Sequence, residues 1–245
     1  MSYNIRFGGL GRESALAKVI KNAAPDLVVF QEATHPDVIK RLSRVTELPF
    51  WAARKDHSIG YLSRVEIAYH EWHYPAGARH SFLEIVPAGS NSRIFGLHLS
   101  ARFSKWDEHR RMREIRSLLK GIERHQDGFH VLVGDFNTLA PGEALDLWRL
   151  PAWIRALIFI SGRKLQRETI QIMLDAGYND GFRTLHKDDR GYTFPTWDPH
   201  VRLDYVFVPR PFAERLISCD VIREPKEEIK AASDHCPLLA QLMID

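Results

Sequence analysis

The sequence is poor in cysteine: 2 Cys in 245 residues are too few for a disulfide scaffold, and Cys219 and Cys236 read as buried thiols. It has no apolar run approaching the ~18 residues of a membrane-spanning helix. It contains no G-x-x-x-x-G-K-[ST] loop, no G-x-S-x-G elbow, no C-x-x-C pair and no H-E-x-x-H helix. P-loop chemistry and serine-nucleophile hydrolysis therefore drop out, and zinc becomes a less natural ion. A strong net charge is missing too, since 34 basic against 31 acidic residues leave +3. No charged-then-apolar leader opens the chain, so a cytoplasmic location is the expectation. The strand-like segment already under way at Ser2 is compatible with a start further upstream.

The charge that is present is unevenly spread. From Arg102 to Arg124 there are eight basic residues against four acids, and from Trp148 to Arg167 five basic residues and no acid. Each stretch reads either as a solvated helix face or as a patch facing phosphates. The apolar core of the second, L-P-A-W-I-R-A-L-I-F-I (Leu150–Ile160), reads as a buried helix or as an amphipathic element that meets lipid or caps a cleft.

Short β-type runs recur between Gly, Pro, Asn and Asp. They are Ser2–Phe7, Asp26–Gln31, Gly60–Ser63, Glu66–His73, Ser81–Val86, Arg93–Ser100, His130–Gly134, Arg202–Val208, Ile217–Arg223 and Pro237–Ile244. Asp26–Gln31 and His130–Gly134 are apolar nearly throughout, as strands covered on both faces are. Helical spacing marks Ser14–Ala23, Trp106–Arg124 (Met112, Ile115, Leu119, Ile122) and Glu168–Ala176. There is no internal repeat or long linker, and residues 1–245 read as one α/β domain.

Polar residues gather where the apolar runs end. Glu32 follows D-L-V-V-F-Q, Asp135 and Asn137 follow H-V-L-V-G, and Asp204 lies in R-L-D-Y-V-F-V. Asp234 and His235 precede the closing run, His98 sits in G-L-H-L-S and Asn4 in Y-N-I-R-F. One such carboxylate is ordinarily a turn or cap residue. Four of them, with two His and two Asn, suit a hard ion such as Mg²⁺ or Mn²⁺ and the attack of water on a phosphodiester.

Six motifs then fall in one order: Y-N-I-R-F-G-G from Tyr3, V-F-Q-E from Val29, G-L-H-L from Gly96, G-D-F-N from Gly134, R-L-D-Y from Arg202 and S-D-H from Ser233. Together they resemble the endonuclease/exonuclease/phosphatase superfamily. The resemblance implies a four-layer α/β sandwich, two packed, mostly antiparallel β-sheets flanked by helices, with the site at one end of the sheets. It implies Glu32 as principal metal ligand with Asn4 close by, and Asp234 as a second metal-proximal acid. It gives Asp135 the activation of water, Asn137 the phosphate, His235 the scissile phosphate and Asp204 the orientation of His235. His98 resembles the second histidine of the deoxyribonuclease and sphingomyelinase branches. Where abasic-site endonucleases usually carry N-x-D, this chain has Asn4-Ile5-Arg6, and it has G-D-F-N rather than the G-D-T-N of tyrosyl-DNA phosphodiesterases. The glutamate that partners the second histidine in deoxyribonucleases is replaced by the stretch Asp56-His57-Ser58.

The expectation is a Mg²⁺- or Mn²⁺-dependent phosphodiesterase, a nuclease acting on DNA first. A phospholipid or sphingolipid phosphodiesterase meeting its interface through Trp148–Arg167, or a phosphatase of small phosphoesters, is the alternative. A binding module without chemistry comes last.

Overall fold

The computed structural model describes residues 1–76, 78–101, 105–143, 145–149, 152, 155, 156, 159 and 167–244. Among the described residues twelve strands form two six-stranded sheets. The first contains β1 (Ser2–Asn4), β2 (Leu27–Gln31), β3 (Phe50–Ala52), β4 (Gly60–Ser63), β11 (Leu216–Val221) and β12 (Leu238–Leu242), in the order β11-β12-β1-β2-β4-β3. The second contains β5 (Ile67–His73), β6 (Phe82–Pro87), β7 (Arg93–His98), β8 (His130–Asp135), β9 (Tyr178–Asp180) and β10 (Asp204–Pro209), in the order β5-β6-β7-β8-β10-β9. Each sheet has one parallel pair, β1 with β2 and β7 with β8, and the other pairings are antiparallel.

Three buried clusters mark three interfaces, and hence four layers. Between the sheets lie Val29, Ile59, Leu83, Ile85, Val131, Val133, Val206 and Leu238. Outside the first sheet, α1 (Glu13–Ala23), α2 (Pro36–Thr46) and α6 (Lys226–Ala232) bring Leu16, Ile20, Ile39, Leu42 and Ile229 onto Val28 and Phe30. Outside the second, α3 (Lys105–Gly121) and α4 (Glu168–Asp175) bring Ile115, Leu118, Ile170 and Met173 onto Phe95, Leu132 and Phe207. A short α5 (Gly181–Leu185) leads from β9 towards β10 and β11. Alternation within β2 and β8 explains their apolar runs, because Val29, Val131 and Val133 face the other sheet while Val28, Phe30 and Leu132 face helices.

Several expectations need correction. The strand read over Ser2–Phe7 stops at Asn4, because Arg6 and Phe7 take left-handed backbone and the chain enters a 3₁₀ turn at Phe7–Gly9. The inward face of α3 holds Ile115 and Leu118 with buried Glu108, Arg111 and Glu114, while Met112 and Leu119 are only half-buried. Arg111 is thereby removed from the basic patch, since it donates to Glu108 at 2.8 Å and to Ser100 O at 2.8 Å. Strands β3 and β9, each three residues long, show no readable alternation.

Of the stretch from Trp148 to Arg167, most lies outside the described residues, while Trp148 and Phe159 are exposed. Arg102 also lies outside them. Cys219 and Cys236 are buried free thiols. Among the described residues no helix is long and apolar enough to cross a membrane.

Candidate active site

Strand register brings the polar residues together. His98 at the end of β7 pairs with Asp135 at the end of β8, and Asp204 at the start of the antiparallel β10 pairs with the same Asp135. In the first sheet Asn4 pairs with Gln31, so Glu32 emerges beside Asn4. The sheets meet at this end, where Asn4 Nδ2 donates to Asp135 Oδ2 at 3.0 Å and to Glu32 Oε1 at 3.3 Å. Two turns set the exits: Glu32 and Asn137 both hold left-handed backbone, φ 58° and 52°. Asparagine tolerates that region better than glutamate. Glu32 is held there by its N–H donating to Ser58 Oγ at 3.2 Å.

Asp135 is the hub. Its Oδ1 accepts the Asn137 N–H at 2.9 Å, and its Oδ2 lies 3.8 Å from both His98 Nε2 and His235 Nε2. On the far side of His235, Nδ1 donates to Asp204 Oδ2 at 2.9 Å, and the ring of Phe194 packs at 4.9 Å. Asn137 Nδ2 donates to Leu99 O at 2.9 Å, which fixes the amide above the end of β7.

The electrostatics separate these groups. Burial, reinforced by Asp204 and opposed by His235, lifts the Asp135 carboxyl to about 7. Burial works against charge on His235, but Asp204 and Asp135 outweigh it and raise the ring to about 10. His98 is driven the other way, to about 3, by burial and by His80, His235 and Arg79. At neutral pH the centre thus holds a carboxylate poised between its two forms, a cationic histidine and a neutral one.

Arg202 of the R-L-D-Y motif faces away from this centre. Its guanidinium binds Asp180 at 2.9 and 2.5 Å and Glu143 at 2.7 Å, and it lies 4.4 Å over the Tyr205 ring. It anchors the strand that carries Asp204.

Oxygen donors here fit a hard divalent ion. Glu32 is half-buried and its Oε2 accepts the Phe7 N–H at 2.6 Å. Asp204 Oδ1 is buried without a hydrogen-bond partner among the described residues. Asp135, Asp204 and His235 also lie within 4.8 Å of one another, atom to atom. That trio is a poor cage, because a metal needs neutral imidazole and this ring is held protonated on Asp204. Asp234, the second acid implied for the ion, instead receives Arg6 Nε at 3.3 Å.

Three participants were not legible in the sequence. Ser58 Oγ lies 2.5 Å from His98 Nδ1, so a hydroxyl occupies the partner position where deoxyribonucleases carry a carboxylate. The replaced stretch Asp56-His57-Ser58 was the available signal. His80 stacks flat on His98, centroids 5.2 Å apart, and Arg6 reaches Asp234; neither contact has a local sequence signature.

A profile of the Endonuclease/Exonuclease/phosphatase family matches residues 1–235. No curated protein sequence matches the chain. Among solved structures, the chain is similar to the 3'-5' exonuclease NExo from Neisseria meningitidis, with TM-score 0.73 and 18% identity over 98% of both chains. It is similar to an AP endonuclease from Archaeoglobus fulgidus, with TM-score 0.70 and 17% identity over 98% of this chain and 97% of that one. It is also similar to a humanized D. rerio TDP2, with TM-score 0.66 and 18% identity over 98% and 96%.

Proposed function

The chain belongs to the endonuclease/exonuclease/phosphatase family, and on that premise we propose that it is a divalent-metal-dependent phosphodiesterase that hydrolyses nucleic acid, DNA in first place. The observation that carries the reading is the buried trio where the two sheets meet, with Asp135 Oδ2 3.8 Å from His235 Nε2 and Asp204 bonded to the far side of that ring at 2.9 Å. Hydrolysis of a phosphodiester needs a base for water, positive charge on the phosphoryl oxygens and release of the leaving oxygen.

Asp135 Oδ2 takes the proton of the attacking water as the water oxygen bonds to phosphorus, the bond to the leaving oxygen breaks, and the leaving oxygen takes its proton from solvent water. His235 donates Nε2–H to a phosphoryl oxygen, and Asp204 keeps that ring protonated while charge develops. Asn137 spends one amide hydrogen on Leu99 O and turns the other to the phosphate. Ser58 Oγ accepts from Glu32 N and lies 2.5 Å from His98 Nδ1; with its O–H turned to that nitrogen, the neutral ring carries its proton on Nε2, facing Asp135. His98 thus orients the water. Glu32, with Asn4 beside it, would hold Mg²⁺ or Mn²⁺, whose charge would supply Lewis-acid stabilisation of the negative charge that develops in the reaction.

Nucleic acid is favoured by the exposed Arg110, Arg113, Arg116 and Lys120 on α3, the first helix after His98. It is favoured too by exposed rings at the mouth: Phe7, 73% exposed beside Glu32, and Trp197, 59% exposed against Phe194. Such rings suit stacking by unpaired bases. The similar structures bear the names of an exonuclease, an AP endonuclease and TDP2, which points the same way. A lipid phosphodiester is the second reading, favoured by exposed Trp148 and Phe159 in an acid-free stretch.

The test is nicking of supercoiled plasmid with Mn²⁺ or Mg²⁺, with EDTA and Asp135→Asn as controls. Nicking that vanishes in both controls supports the nuclease. A stable protein that binds Mn²⁺, leaves DNA intact and cleaves phospholipid in vesicles overturns it in favour of the lipid reading.

A further inference from the structure

Arg6 and Phe7 are neither glycine nor asparagine, yet both hold left-handed backbone, φ 48° and 46°. Two consecutive residues in that region are strained, and surrounding contacts must enforce the conformation. Here they do. Phe7 N donates to Glu32 Oε2 at 2.6 Å and Arg6 N to Asn4 Oδ1 at 2.9 Å. From behind, the Arg12 guanidinium donates to Ile5 O at 2.9 Å, to Ala232 O at 2.5 Å and to Arg6 O.

The turn so enforced delivers the Arg6 guanidinium to Asp234, Nε to Oδ2 3.3 Å, with side chains 45% and 17% exposed. An ion pair this open to water contributes little to stability. The turn thus sets a guanidinium against the acid that precedes His235. Asp234 is held at the centre by its neighbours, since Ser233 Oγ donates to Asn4 O at 2.7 Å and His235 is the next residue.

Of the two acids on the metal side, Glu32 meets Asn4 Nδ2 at 3.3 Å and Phe7 N at 2.6 Å, whereas Asp234 meets the Arg6 guanidinium. A second ion would have to bind Asp234 against a fixed guanidinium at contact distance. Without Arg6, Asp234 Oδ2 would face the centre with no cation against it.

We propose that Arg6 is a built-in cation standing where a second divalent ion would otherwise bind at Asp234, so that the centre holds one Mg²⁺ or Mn²⁺ per chain. The inference rests on the metal-dependent reading above. Its test is calorimetric titration of the substrate-free protein with Mn²⁺, for wild type, Arg6→Ala, Arg6→Lys and the double variant Arg6→Ala/Asp234→Asn. The expected counts are one ion in wild type, one in Arg6→Lys, two in Arg6→Ala with the second weaker, and one again in the double variant. Two ions in wild type, or a folded Arg6→Ala that still takes one, overturns the proposal while leaving metal dependence intact. No ion bound by wild type overturns the metal-dependent reading and this inference with it. If Arg6→Ala fails to fold, the counts for wild type and Arg6→Lys decide, and two ions in either overturns the proposal.

Discussion

Asp204 accepts the Nδ1 proton of His235 at 2.9 Å in a buried contact, and this makes the histidine a cation on its other edge as well, where Nε2 faces Asp135 at 3.8 Å. One carboxylate holds the charge that another group uses. The two acids are consequently unequal: one is committed to the imidazolium, and the other, lifted to about 7, is available as a base.

Replacing Asp204 with Asn removes the charge that outweighs burial at His235. Burial then prevails and the ring loses its proton at lower pH. With saturating Mn²⁺, turnover should fall on the order of 10²- to 10⁴-fold, and the alkaline limb of the rate profile, set in wild type by a histidine raised to about 10, should move towards neutrality. A pH–rate profile measures both effects. An alkaline limb that stays in place would show that His235 is not charged by Asp204.

Glu32→Gln separates metal binding from proton transfer. The amide keeps the size of the side chain and an acceptor for the Phe7 N–H but loses the negative charge. Half-maximal activity should then require about tenfold or more Mn²⁺, with turnover at saturation closer to wild type than in Asp135→Asn. Mn²⁺ should also raise the melting temperature less than it does for wild type, because a ligand bound only by the native state stabilises it in proportion to occupancy. Equal Mn²⁺ titrations of the two proteins would remove Glu32 from the ligand set.

The parts of this site that were legible in the sequence are those carried by strand ends. Asp135, His98, Asp204, Glu32 and Asn4 each adjoin an apolar run, and strand register alone brings the first three together. Illegible were contacts between residues far apart with no periodic pattern: Ser58 to His98 across 40 positions, and Arg6 to Asp234 across most of the chain. The reading of α3 held for the helix and was incomplete for its inward face, for a different reason. Apolar spacing identified the helix, but its inward face is completed by buried charged residues that find partners there, Glu108 accepting from Arg111 at 2.8 Å and Glu114 from Ser100 N at 3.0 Å. Hydrophobic periodicity is blind to such a face.

Gly96 tests how closely the sheets approach. A Cβ there would stand 2.5 Å from Val29 Cγ1 and 3.1 Å from Ile59 Cγ2, both between the sheets. Gly96→Ala should cost about 1–3 kcal/mol through overpacking, read from urea unfolding. Val29→Ala should also destabilise, by leaving a cavity. In the double variant the new methyl enters the space that Val29 vacates, so the two costs should sum to more than the measured loss. Strict additivity would locate the cost of Gly96→Ala elsewhere.

His98 predicts the acid sensitivity of the fold. Its ring is held at about 3 by burial and nearby cations, against about 6.5 for an exposed histidine. Between those values the unfolded chain binds the proton and the folded chain does not, so stability rises with pH across the window. The contribution is fully present above 6.5 and is lost progressively as pH falls through 6.5 towards 3, amounting to about 2 kcal/mol at pH 5. Asp135 shows why the comparison must be made between variants, since its raised carboxyl favours the folded protein at low pH and partly masks the histidine. His98→Gln cannot take up the proton, so its unfolding free energy relative to wild type should improve steadily from pH 7 to pH 5, whatever its offset at pH 7. Urea melts of the metal-free proteins at half-unit steps measure the difference. A constant offset across that range would mean that His98 protonates in the folded state, and the neutral, water-orienting role assigned to it would fall.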